Sequence, residues 1–92
     1  MDVTRDSFVK IDSELAKSRD VGDSVVVMDL KNSVYFSIEG SIAQVWPSFL
    51  QGVVISDAAA ELAQVFDAPV EEIEVDLIDL CVRLAERGVL EE

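Results

Sequence analysis

A chain of 92 residues, half of them apolar and with only four Gly and two Pro, has the composition of one folded domain, 1–92, and not of a disordered segment or a pair of domains. Its formal net charge of −12 opposes nucleic-acid binding, which rests on Lys and Arg neutralising phosphates, and opposes an anionic membrane surface; it suits solubility or a partner with a basic patch. With no His and the single Cys81, the chain lacks the commonest general base and transition-metal ligand and cannot form an internal disulfide, so the expected compartment is the cytoplasm.

Residues 1–12 are weakly patterned, with Met1, Val3, Phe8, Val9 and Ile11 their apolar groups, and read as an arm lying across the domain. They hold no apolar run that would serve as a signal peptide, and the longest such run, Val25 to Met28, is far too short to cross a membrane. A first strand is expected from about Leu15 to Val21. After a turn at Gly22-Asp23, the β-branched run Ser24 to Leu30 predicts a second strand. Lys31-Asn32 is read as a two-residue connection with Asn at positive φ, and Ser33 to Ser37 as the return strand of a hairpin. Val25 and Val27 alternate with Val26 and Met28, so neither face of the second strand is polar and the hairpin requires a cover.

Helices follow. Ser37 is placed to cap a helix from about Ile38 to Leu50, kinked by Pro47. Ser56 is placed to cap a second, Asp57 to about Phe66. Pro69 opens a third, with Glu71 and Glu72 at its positive end and Gly88 after its last residue, Arg87. Three antiparallel strands followed by three helices, the last two as a helix-turn-helix, give an α+β, winged helix-turn-helix-like fold.

On a helical wheel Leu77, Leu80, Leu84 and Val70 fall within roughly 60° of Ile73, enough to seat the last helix on a core. Cys81, Ala85, Ile78, Val82 and Val75 extend the apolar arc to roughly 200°, where a surface helix needs little more than about 100°. Either the hairpin and arm cover the surplus, or part of it forms a groove against the strand Ser33–Ser37. That strand, SVYFS, would be a sheet edge without charge or Pro, the usual protections. A bare edge beside an apolar groove is what strand addition by a peptide requires.

Catalytic chemistry is not indicated. Cys81 has no His or cation of obvious effect beside it and reads as structural. The acidic groups Glu71-Glu72-Glu74-Asp76 and Glu91-Glu92 lack the alternating ligands of a calcium loop and read as a solvated face. No phosphate loop, metal-ligand spacing or cofactor motif is present. A helix-turn-helix raises DNA binding as an alternative, but the N-terminal half of the last helix presents Glu71, Glu72, Glu74, Asp76 and Asp79 and no cation before Arg83.

The ordered series VVVMDLKNSVYFSIEGSIAQVW, FLQG, Ser56, FDAPVEEIEVDL and LAERGVL, covering about Ser24 to Leu90, resembles the PqqD-like family of leader-peptide recognition elements for ribosomally made, modified peptides. Asp29-Leu30-Lys31-Asn32 in place of a Pro-Glu resembles the stand-alone proteins of lasso-peptide pathways more than the pyrroloquinoline-quinone protein. Glu39 in place of an Asn, and Pro47, depart from many relatives. The resemblance implies that a precursor's leader adds as an antiparallel strand to Ser33–Ser37, with Val34, Tyr35 and Phe36 pairing through their backbones. From the wheel, Val75, Ile78 and Val82, with Leu77 and Cys81, are expected to line the pocket. The implied partner is a separate processing enzyme, a leader peptidase or a radical SAM enzyme. The protein itself is expected to be no enzyme, and a monomer or weak homodimer.

Overall fold

The computed structural model describes residues 3–91; Met1 of the expected arm and Glu92 of the C-terminal acidic pair lie outside the described residues. Phe8–Val9 (β1) pairs antiparallel with Val53–Val54 (β5). Ala16–Asp20 (β2), Ser24–Asp29 (β3) and Val34–Glu39 (β4) form a separate antiparallel sheet in the order β2-β3-β4. A 3-10 helix, Gly40–Val45, leads into Trp46–Gln51 (α1), followed by Ile55–Val65 (α2) and Val70–Arg87 (α3). The α+β expectation of three antiparallel strands and three helices holds. Among the described residues no helix is long and apolar enough to cross a membrane.

One face of the sheet provides Val25, Val27 and Ile38 to a core shared with Phe49, Ile55, Leu62, Leu77 and Leu84. Each of the larger of these side chains contributes about 1.5–3 kcal/mol by leaving water. Segments from both chain ends close this core. Ile11 bridges Leu90, Asp12 N–H donates to the Val89 carbonyl at 2.8 Å, and Glu91 N–H donates to the Lys10 carbonyl at 2.8 Å.

Helix starts differ from their expected places, for physical reasons. Ser37 belongs to β4 and caps nothing; its Oγ donates to Glu39 Oε1 at 3.5 Å. Pro47 has no N–H to bond back to Ala43, and its ring crowds that carbonyl, so one α-helix cannot run through it. The chain makes a 3-10 stretch first and begins α1 with Pro47 in the opening turn, where the missing N–H costs nothing. Ser56 does not cap α2 either. Its N–H donates to the Arg5 carbonyl at 2.8 Å and that of Ile55 to the Ser7 carbonyl at 3.0 Å, so the arm's backbone satisfies the helix start in place of a side chain.

The β3–β4 hairpin closes at Asp29 opposite Val34, so the connection is Leu30–Ser33 and longer than two residues. Ser33, not Asn32, takes the positive φ, 58°. Asn32 is committed elsewhere: its N–H donates to Asp29 Oδ1 at 3.0 Å and its Nδ2 to Asp29 Oδ2 at 2.7 Å. Gly88 ends α3 at φ 75°, as the sequence indicates, with its N–H bonded to the Ala85 carbonyl.

Candidate functional site

Two hydrogen bonds fix which backbone groups of the sheet remain free. Val21 N–H donates to the Ser24 carbonyl at 3.0 Å and Leu30 N–H to the Leu15 carbonyl at 2.9 Å. In the antiparallel register, Ser24, Val26, Met28 and Leu30 therefore bond toward β2, because hydrogen-bonded and non-bonded pairs alternate. Val25, Val27 and Asp29 turn the other way, to Ile38, Phe36 and Val34 of β4. The N–H and C=O groups of Tyr35 and Ser37 then point outward from the edge, with no backbone partner among the described residues, while the Glu39 carbonyl caps the start of the 3-10 helix. Val34 and Tyr35 are 39% and 67% exposed, and no charge occurs in β4 before Glu39.

The free edge faces α3 across a groove of about 310 Å³. Ile38, Ile42 and Leu80 supply its apolar surface, Ser37 and Glu39 its β4 rim, and Asp76, Asp79 and Arg83 its α3 rim. Arg83 donates a hydrogen bond to Asp79 one turn away, and that bond, with the attraction of the opposite charge, raises the guanidinium pKa. Beyond this stretch the Arg87 guanidinium lies over the Phe36 ring, 4.4 Å from its centroid.

A buried carboxylate holds the start of β4. Asp29 is fully buried and accepts from Lys31 N–H at 3.0 Å as well as from Asn32, with Arg87 Nη1 at 3.7 Å. The Asn32 side-chain amide, with the loop N–H groups and Arg87, outweighs burial and keeps its pKa below the ordinary carboxylate value. Asn32 Nδ2 also reaches the Arg87 carbonyl at 3.4 Å, so one residue pair fastens the hairpin loop to the end of α3.

The structure brings together only half of the residues singled out from sequence. Tyr35 and Ser37 lie along the free edge with their backbones outward, and Ser33 stands just before it in the loop. Val34 and Phe36 lie on the same strand but bond inward to β3, so the backbone pairing expected of them passes to Tyr35 and Ser37. The α3 set does not line this groove. Leu77 and Cys81 are fully buried in the core, and burial pushes the Cys81 thiol up to about 12, which keeps it protonated and inert. Val75 is 65% exposed beside Glu71 and Glu72. Ile78 and Val82 are half-buried, but neither meets the groove against β4. The reason is the rotation of α3: its buried line runs through Ile73, Glu74, Leu77, Cys81 and Leu84, so the centre of the apolar arc faces the core. Arg5 from the N-terminal arm pairs with the buried Glu74 at 3.2 Å, which places the arm on the arc's surplus side. β4 meets the opposite flank, where Leu80 adjoins the charged face. From sequence, Asp76 reads as part of a solvated acidic face, and Asp79 and Arg83 have no place in a groove; Leu80, apolar and at the border of the charged face, is the one signal for it.

Compared with known families, the chain matches the family described as coenzyme PQQ synthesis protein D (PqqD) over residues 24–90, from the start of β3 to the segment after α3. Comparison with curated proteins gives no match. Among solved structures it is similar to one described as TbiB1 in complex with the TbiA(beta) leader peptide, with a TM-score of 0.78 and 24% identity, covering 89% of this chain and 94% of that one. At this identity the likeness establishes the shared fold.

Proposed function

The chain belongs to the PqqD family, and on that premise we propose that it is a leader-peptide recognition element of ribosomal-peptide biosynthesis. The leader of a precursor peptide adds as an antiparallel strand to β4, and the protein delivers it to a separate processing enzyme. The observation that carries this reading is the outward backbone of Tyr35 and Ser37 on an uncharged edge beside the α3 groove. Main-chain hydrogen bonds to that edge supply affinity, and Ile38, Ile42 and Leu80 receive an apolar leader side chain. The complex of the similarly folded TbiB1 with a leader peptide supports the same use of the fold here.

The protein acts by binding and not by catalysis. Its one thiol is buried and protonated, which removes it as a nucleophile. The receiving enzyme is a leader peptidase of a lasso-type pathway, consistent with the Asp29–Asn32 turn. A second reading, favoured by the family's description, makes it a radical SAM enzyme of a quinone-cofactor pathway. DNA binding is disfavoured by Glu71, Glu72, Asp76 and Asp79 on the half of α3 that would enter the groove.

The test is a titration of the isotopically labelled protein with a cognate leader peptide. Amide shifts at Tyr35 and Ser37 and methyl shifts at Ile38, Ile42 and Leu80 are expected. Shifts confined to Val75, Ile78 and Val82 would place the peptide on the other side of α3 and overturn this geometry.

A further inference from the structure

The groove that receives the peptide carries opposite charge at its two ends. Along β4 from Phe36 to Glu39, the facing residues of α3 run from Arg87 back to Asp76, so strand and helix are antiparallel. At the Phe36 end stands Arg87, whose only ion pair among the described residues is to Asp29 at 3.7 Å, which leaves most of its five donors open. Lys31 stands apart from it, on the other flank of the end of α3 beside Asp12, Gly88 and Glu91, so Arg87 is the cation of this end. At the other end Glu39 and Asp76 lack an ion pair among the described residues, and both rim the groove. Ile38, Ile42 and Leu80 form the apolar floor beside them.

Resting on the strand-addition reading above, we infer that this groove selects peptides by charge order: a basic residue, then an apolar one, then an acidic one, read from the N-terminus. An antiparallel partner has its N-terminal part beside Glu39 and its C-terminal part beside Phe36. Side chains facing the groove recur every second residue, and a span of four residues covers about 13 Å. The expected pattern is therefore Lys or Arg, any residue, an apolar residue, any residue, Asp or Glu. The basic side chain meets Glu39 and Asp76, the apolar one the floor, and the acidic one Arg87. The chain's net charge of −12 would favour uniformly basic peptides; the groove asks for an acidic residue as well, at a defined end.

The experiment is selection of binders from a random 12-residue peptide library displayed on messenger RNA, with the Tyr35→Pro variant as counter-target. Enrichment of the basic–apolar–acidic order in binders lost on Tyr35→Pro is the expected result. Binders that depend on Tyr35 but show no charge order, or the reverse order, would overturn the inference and leave the edge reading standing. If no binder depends on Tyr35, the edge reading fails and the inference with it. In a selected peptide, Lys→Glu should weaken binding about two- to fivefold, an effect that shrinks with added salt. Asp76→Lys in the protein should recover that loss; equal affinities in all four combinations would overturn the assignment of Asp76.

Discussion

Of the two edges of the three-stranded sheet, β2 carries Lys17, Arg19 and Asp20 in five residues, while β4 carries no charge before Glu39. Both strands bond β3 on one side and leave alternate backbone groups on the other. On β2 one of those groups is occupied, Ala16 N–H donating to the Asp12 carbonyl at 3.0 Å, and the Ser18 side chain is held by the Trp46 indole N–H, which donates to its Oγ at 2.8 Å. Charged side chains then discourage pairing along the rest. On β4 the groups of Tyr35 and Ser37 are left free beside an apolar floor. The backbone is the same on both edges; only the side chains decide which one recruits a peptide.

The sharpest way to separate the roles within β4 is a pair of proline substitutions. Phe36 bonds inward to Val27, so Phe36→Pro removes a ladder bond and is expected to destabilise the fold by about 3 kcal/mol or more in chemical denaturation. Tyr35 points its N–H outward, so Tyr35→Pro, at an edge position that tolerates proline, should leave stability within about 1 kcal/mol and weaken leader binding about tenfold or more by titration calorimetry. The alternation read from the register fails if the two variants behave alike.

Asp20 at the end of β2 also accepts a turn N–H, from Gly22 at 2.9 Å, but is exposed, whereas Asp29 is buried and gives the β4 side its own pH dependence. Its folded pKa is held below the ordinary 3.8. The stability it contributes is thus fully present above that value and lost as pH falls through the lowered one. Thermal melts of the native chain should weaken progressively below about pH 3.8, and Asp29→Asn should flatten that part of the profile. A smaller effect should come from making β2 resemble β4. Lys17→Val with Arg19→Val strips its guard and is expected to produce concentration-dependent self-association in sedimentation, where the native chain shows less. Smallest of all, Val75→Ser should change neither leader binding nor stability beyond about 0.5 kcal/mol.

How far the sequence carried varies along the chain. β3 was legible because its β-branched run has no competing helical pattern, and α3 because its wheel, Pro69 and Gly88 agree. The free edge followed from strand order alone. The groove did not, because a wheel gives the width of an apolar arc but not the rotation of the helix against its sheet. That rotation follows from packing against the whole core, where Ile73, Leu77, Cys81 and Leu84 meet α2 and the sheet, with Arg5 of the arm reaching Glu74. The helix starts were misplaced for a related reason: backbone carbonyls of Arg5 and Ser7 satisfy α2, and no side-chain signature records them.

The most direct test of the open-edge account is amide hydrogen exchange, residue by residue, with and without a bound leader peptide. In the free protein Tyr35 and Ser37 should exchange quickly while Val34, Phe36 and Ile38 are protected by β3. On binding, Tyr35 and Ser37 should become protected, with Ser18 and Asp20 of β2 unchanged. Protection appearing at Ser18 and Asp20, or none at Tyr35 and Ser37 under saturating peptide, would contradict the account.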